Sequence, residues 1–290
     1  MSWSQQTADE PIGTASAGVL RSARRLLTRK GRQTSGQFLV EGPQAVREAA
    51  AAGLVRRCLV TAAAQPRLSP LLARVRESGA ELLQVGEADL DRLVGTVHPQ
   101  GVVAVCTVRE TSLAQLLDRP TQLVVVCAQV RDPGNAGAVI RCADAFGADG
   151  VVLTEQSVEP YNPKTVRATV GSLFHLPVVH GPALAETVAA LRAAGMWVLA
   201  ADGSGEVTLT ELERDGSLSR PVAWVFGNEA WGLPAADREL VDQVVRIPMW
   251  GHAESLNLST AAAVCLYATA AAQRPVSPPQ NPVPATQSLS

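Results

Sequence analysis

Aromatic residues make up only 4% of this 290-residue chain and charged residues only 18%, against 47% hydrophobic residues. With so little aromatic volume, the core has to be built from Ala, Val and Leu, within a soluble globular composition. Long apolar runs are missing too. Leu123 to Val126 and Val151 to Leu153 fall far short of the roughly 20 residues that cross a bilayer, so no membrane span is expected. No apolar block follows a basic start at the amino terminus, so the expected compartment is the cytoplasm.

Paired metal or disulfide spacings are also absent. Cys58, Cys106, Cys127, Cys142 and Cys265 stand singly among apolar residues with no CxxC pair, which suits buried reduced thiols. His98, His175, His180 and His252 lack ligand spacing, and no metal is expected. Net charge is only −2, but it is unevenly placed. Residues 1–106 hold 13 Lys and Arg against 9 Asp and Glu, whereas residues 107–290 hold 12 against 18. The basic surface lies in front, where an anionic partner would be met.

The length accommodates two domains. Residues 1–18 are small and polar and residues 274–290 are rich in Pro, Gln and Ser, so both ends are expected to be disordered. Residues 19–106 read as a small α/β unit: a helical pattern from Val19, strands at 38–40, 54–61, 81–85 and 102–108, and helices at 44–52 and 70–78. A polar, helix-capable connector follows at 107–121. In residues 122–273 the expected strands are 123–128, 150–154, 176–179, 196–201, 222–226 and 243–246. Helices are expected at 136–146, 163–172, 183–194, 234–240 and 255–272. Such alternation predicts an α/β fold: a mostly parallel sheet with helices on both faces, its ligands held beyond the carboxyl ends of the strands.

Three segments occupy that position. In VRDPGNAG, residues 130–137, a strand runs into a helix whose Val139, Ile140, Ala143 and Phe146 form a core stripe, leaving Gly137, Arg141 and Asp144 on another face. The plain alternative is that Asn135 caps the helix while Arg141 is solvated beside Asp144. In WVFGNEAWGLP, residues 224–234, glycines permit close backbone approach, or else make a tight turn with Glu229 serving the helix dipole. In IPMWGHAESLNLS, residues 247–259, Ser255, Asn257 and Ser259 crowd a helix start beyond what one cap requires.

These segments, in this order, resemble the SpoU (TrmH) family of RNA ribose 2′-O-methyltransferases, within the knotted (SPOUT) methyltransferases. The likeness is strongest in DPGNAGAVIRCADAFG, FGNEAWGL and IPMWGHAESLNLSTAAAV, and it spans residues 122–272. RKGRQTSGQFLVEGPQAVREA and HPQGVVAV resemble the small RNA-binding extension of ribosomal-RNA members. One departure is Ala230-Trp231, where the family has Gly after the glutamate.

The resemblance implies a carboxyl-terminal trefoil knot, a homodimer, S-adenosylmethionine as cofactor and RNA, foremost large-subunit ribosomal RNA, as substrate. It implies catalytic or substrate-phosphate roles for Asn135, Arg141, Glu229, Ser255 and Asn257. The cofactor contacts implied are Phe226, Gly227, Asn228, Ile247, Met249, Leu256, Asn257 and Ser259, although Ile247, Met249 and Leu256 would otherwise read as core. RNA contacts fall on the acid-free stretch Arg21, Arg24, Arg25, Arg29, Lys30 and Arg32, together with Arg167; the alternative is an amphipathic helix with a charged face. Transfer RNA is the alternative substrate. Other readings are a non-catalytic RNA-binding protein on this fold, and a nucleotide-binding oxidoreductase or ordinary methyltransferase using LAADGSGE, residues 199–206, which lacks a full GxGxxG.

Overall fold

The computed structural model describes residues 12–96 and 98–274, and in them two sheets. The first is formed by β1 (Gly13–Thr14), β2 (Gln37–Glu41), β3 (Val55–Thr61), β4 (Glu81–Val85) and β5 (Val102–Thr107). Its helices are α1 (Ala17–Arg25), α2 (Arg29–Ser35), α3 (Pro43–Ala51), α4 (Gln65–Glu77) and α5 (Glu87–Asp91). Strand order is β1-β4-β3-β5-β2; β4 runs parallel to β1 and β3, and β5 antiparallel to β2 and β3. Side chains alternate across this sheet as the two-residue period requires. Phe38, Val40, Cys58, Val60, Ala104 and Cys106 join one core, while Leu39, Leu59, Val103 and Val105 join Ala23 of α1 and its C-cap Leu26 in another.

Residues 12–18 correct the expected disorder: β1 adds to the sheet edge, and Ser16 caps α1 through the Val19 N–H. Residues 1–11 and 275–290 lie outside the described residues. The helical pattern from Val19 divides in two because the Thr28 hydroxyl accepts from Gly31 N at 3.1 Å and starts α2 afresh. The helix expected to begin at Pro70 begins a turn earlier, with Pro66 in its first turn, where a proline's missing N–H costs nothing.

After α6 (Leu113–Leu117), opened by a Ser112/Gln115 capping box, the second sheet begins. It comprises β6 (Leu123–Cys127), β7 (Gly150–Leu153), β8 (Val178–His180), β9 (Trp197–Ala201), β10 (Val207–Thr208), β11 (Val222–Phe226) and β12 (Gln243–Arg246). The helices are α7 (Pro133–Ala145), α8 (Pro163–Thr169), α9 (Leu184–Ala193), α10 (Leu209–Arg214), α11 (Ala235–Arg238) and α12 (Leu258–Gln273). All neighbours are parallel, in the order β10-β12-β9-β11-β6-β7-β8. The central strands β6 and β11 are buried along their whole length, as a sheet covered on both faces demands. Val125, Cys127, Trp224 and Phe226 face the core that contains Val139, Ile140, Cys265 and Leu266, while Val124, Val126, Ala223 and Val225 face Val188 and Leu191. The buried Trp224 indole N–H donates to Thr269 Oγ1 at 2.8 Å, which pins α12 on β11.

Several boundaries differ from the sequence reading. The helix expected through residue 172 ends at Thr169, because Val170 and Gly171 both take positive φ, at 53° and 105°. The last helix starts at Leu258, not residue 255, since Asn257 is its N-cap. β10 and α10 fill a stretch left without elements, and α10 carries its own capping box between Thr208 and Glu211. Gly137 does not share an outward face with Arg141. An added Cβ there would lie 2.5 Å from Ala168 Cβ and 2.6 Å from Thr165 O, so this glycine lets α7 and α8 cross closely.

The two units share one continuous core. Phe38 meets Tyr161 with ring centroids 4.5 Å apart, and Arg32, 4% exposed, pairs with Glu159 across the junction. Among the described residues no helix is long and apolar enough to cross a membrane, and no group of three or more His, Cys, Asp or Glu could hold a metal. All five thiols are free, and burial pushes Cys58 and Cys127 up to about 12.

Candidate active site

Because β12, β9, β11 and β6 are adjacent and parallel, the loops leaving their carboxyl ends converge on one edge. A cavity of about 510 Å³ lies there, a size suited to a small organic ligand. Phe226, Gly227, Asn228, Glu229, Ile247, Met249, Ser255, Leu256 and Asn257 line it, so the second and third sequence segments meet in one place. Ile247, Met249 and Leu256 offer apolar surface inside the cavity, and Met249 is exposed, not core.

The loop after β6 begins at Gln129, whose φ is +54°, and enters α7 through Asp132, which accepts from Asn135 N at 2.8 Å. Asp132, not Asn135, is therefore the cap, and the Asn135 side chain is released toward the site. Its Nδ2 donates to Glu229 Oε1 at 3.3 Å, and its Oδ1 accepts from Asn257 Nδ2 at 3.1 Å. Asn257 Oδ1 in turn accepts from Ser259 N at 2.9 Å and Ser259 Oγ at 2.6 Å. A backbone N–H can only donate, so this last contact fixes both amides, and the chain of bonds runs in one direction to the Glu229 carboxylate. Ser259 does not line the cavity; it orients Asn257.

Asn228 is 6% exposed and braces the loops: its Nδ2 donates to Gln129 O at 2.7 Å, and its Oδ1 accepts from Ala230 N at 2.9 Å. Gly227 allows no side chain, because a Cβ would lie 2.4 Å from the Gly232 carbonyl carbon. Arg141 stands apart. It is exposed on α7, outside the cavity lining, with no hydrogen bond or ion pair to a described residue, and Asp144, its supposed partner, bonds His175 Nδ1 at 2.7 Å.

Sequence reasoning missed Ala201, Asp202, Gly203 and Glu254, which also line the cavity. The first three belong to LAADGSGE, the loop noticed as a possible nucleotide site; it serves this same cavity. Burial pushes the Asp202 carboxyl up, but the Ser204 hydroxyl and N–H, the Arg238 guanidinium and the Leu233 N–H outweigh it and leave it below the usual carboxylate value. The cavity thus joins apolar walls to an ionised carboxylate and backbone polar groups, which suits a ligand with a flat apolar end and a cationic or hydroxylated end.

The arginines chosen for RNA divide into two groups. Arg21, Arg25 and Lys30 are exposed without partners among the described residues, and Arg29 is exposed with Glu159 3.9 Å away. Arg24 pairs with Asp89 at 2.7 Å, Arg167 with Glu41 at 2.7 Å, and Arg32 is buried against Glu159 and the Leu26 carbonyl. Those three are tied into the structure and do not present free cations.

Comparison with known proteins adds independent findings. Residues 122–267 match the model of the SpoU rRNA Methylase family, and residues 19–104 match the MRM3-like substrate binding domain. The chain is 34% identical over 257 residues, 88% of its length and 97% of the relative's, to the 23S rRNA (guanosine(2553)-2′-O)-methyltransferase RlmP of Bacillus subtilis. It is 37% identical to the 23S rRNA (uridine(2479)-2′-O)-methyltransferase of Streptomyces viridochromogenes over 70% of this chain and 64% of that one. An AdoMet-bound rRNA methyltransferase from Sinorhizobium meliloti superposes with a TM-score of 0.77 at 30% identity, covering 90% of this chain and 97% of that one. The SpoU methyltransferase AviRb from Streptomyces viridochromogenes, solved with AdoMet, gives 0.76 at 33% identity over 88% and 98%.

Proposed function

The chain belongs to the SpoU rRNA methylase family, and from that premise we propose that it is an S-adenosylmethionine-dependent methyltransferase acting on a ribose 2′-hydroxyl of large-subunit ribosomal RNA. The observation that carries this reading is the directed chain from Ser259 through Asn257 and Asn135 to Glu229, of which Asn257 and Glu229 line the cavity. S-adenosylmethionine fits the cavity: Phe226, Ile247, Met249 and Leu256 would flank the adenine, and the Asp202 and Glu254 carboxylates suit its hydroxyls and positive charge. When bound, the cofactor supplies a methyl group on a sulfonium, which needs little beyond in-line placement of the attacking oxygen. As that oxygen bonds the methyl and the methyl–sulfur bond breaks, the hydroxyl proton must leave. A guanidinium stays protonated at neutral pH, so Arg141 acts by charge, gripping the target phosphate and stabilising the developing alkoxide, with the proton passing to water.

Arg141 lies outside its own cavity, which favours a homodimer in which it serves the cavity of a second copy. An apolar surface over α12, with Trp250 at 88%, Tyr267 at 64% and Val264 at 37% exposure, fits that partner. Residues 19–106 form the RNA-binding unit, with Arg21, Arg25 and Lys30 as its free phosphate contacts and Arg29, exposed beside Glu159, next to them. The carboxyl-terminal strands are threaded in a trefoil knot, and the protein works in the cytoplasm. Incubation with methyl-labelled S-adenosylmethionine and unmodified RNA tests the assignment. Label is expected in large-subunit ribosomal RNA; label only in transfer RNA would shift the substrate, and RNA binding without transfer would make the protein a non-catalytic one. Light scattering should give a dimer.

A further inference from the structure

The loop after β11 is tied at its neck and exposes a three-residue tip. Asn228 and Gly232 exchange backbone hydrogen bonds of 3.0 and 2.9 Å, and the neck closes so tightly that Gly227 has no room for a Cβ. At the tip, Glu229 turns to Asn135, while Trp231 remains 49% exposed. The Arg131 guanidinium lies over the indole, 5.0 Å from its centroid. Arg131 comes from the loop between β6 and α7, and Asn135 stands in the first turn of α7. The ring therefore sits where the loop after β11 meets the loop after β6, with the Arg131 cation over it and about half its surface left open.

We propose that Trp231 is a substrate-positioning residue: the nucleobase whose ribose is methylated stacks on its open face, with Arg131 supporting the ring from behind. The inference rests on the reading of the substrate as RNA. A nucleotide must be splayed from its neighbours before a buried hydroxyl chemistry can reach it, and an aromatic plane replaces the stacking it loses. Because every base has a π-face, such a contact holds the nucleotide without dictating its identity. Trp231 stands two residues from Glu229, which lines the cavity, so a base stacked on it would carry its ribose toward the polar chain.

The test uses the full chain, transcribed large-subunit ribosomal RNA and saturating S-adenosylmethionine. Trp231→Ala is expected to raise the RNA concentration for half-maximal methyl transfer about 10- to 100-fold, whereas Trp231→Phe stays within about threefold. Calorimetry should give both variants the wild-type affinity for S-adenosylmethionine. An abasic nucleotide at the mapped position should impose a similar defect on the wild type and remove the difference between it and Trp231→Ala. Normal RNA dependence in Trp231→Ala, equal failure of Ala and Phe, loss of cofactor affinity, or normal use of the abasic RNA would each overturn the proposal. If the wild type methylates no RNA, the functional reading falls and this inference with it; if only the variants behave as wild type, this inference alone falls.

Discussion

In the amino-terminal unit, Arg24 and Arg32, which the sequence offers as RNA contacts, are held by carboxylates from distant parts of the chain, as is Arg167 of the carboxyl-terminal unit. In the carboxyl-terminal unit, Arg141 stands exposed with no partner among the described residues. Arg32 and Arg167 close the junction between the two sheets through Glu159 and Glu41, while Arg141 lies on a helix next to a cavity it does not line. Density of positive charge along a sequence is thus a poor guide to free cations. What decides is whether an acid elsewhere in the fold reaches them.

The comparison is sharpest at Arg32. Its side chain is 4% exposed and Glu159 is 12% exposed, so Arg32→Ala leaves a buried carboxylate with only Arg29, 3.9 Å away, to answer it. Removing one partner of a buried pair typically costs about 3–5 kcal/mol, and a value near the lower end is expected here in urea unfolding. Replacing both residues by methionine should cost less than either single change. If Arg32→Ala instead leaves stability unchanged and weakens RNA binding, the division between structural and free arginines is broken.

Next in size is Arg141→Lys. It keeps the charge but replaces a planar, two-pronged donor by a flexible point charge. Loss of transition-state stabilisation of this kind lowers single-turnover rates by about 100-fold, with folding and cofactor affinity unaffected. A near-normal rate, or a defect confined to thermal stability, would place Arg141 with the structural arginines.

The same contrast marks what was legible in the sequence. The location of the second unit's site could be read because each segment joins a buried strand to glycines, polar residues and a helix start, all local signals, whereas the roles of its residues came only from the family resemblance. The Asp132 cap, the Ser259 contact and the Asp202 loop refine that reading without moving it. Arg24, Arg32 and Arg167 could not be read, because their partners lie 65, 127 and 126 residues away. Gly137 was misplaced for the same reason: helical periodicity alone put it outside, whereas the close crossing with α8 puts it inside.

A smaller effect is expected at His175, which links the units through Asp144 and Glu48. Burial alone would lower its pKa, but the hydrogen bond and charge of Asp144, then those of Glu48, outweigh it and raise it above 6.5. A raised histidine stabilises the fold fully below its unfolded value and loses that contribution as pH rises through the folded value. Thermal stability should therefore decline slightly above pH 6.5, and His175→Gln should flatten that slope. The side chain is 43% exposed, so solvent keeps the effect modest.

The central claim is that the loops around Asn135, Glu229 and Asn257 direct a methyl group to a ribose oxygen. Alkaline hydrolysis of large-subunit ribosomal RNA treated with the purified protein and labelled S-adenosylmethionine tests it most directly, since cleavage needs a free 2′-hydroxyl. The account predicts label in a single alkali-resistant dinucleotide, formed about 100-fold more slowly by Arg141→Lys. Label released in an ordinary mononucleotide, with the methyl on the base, would contradict it.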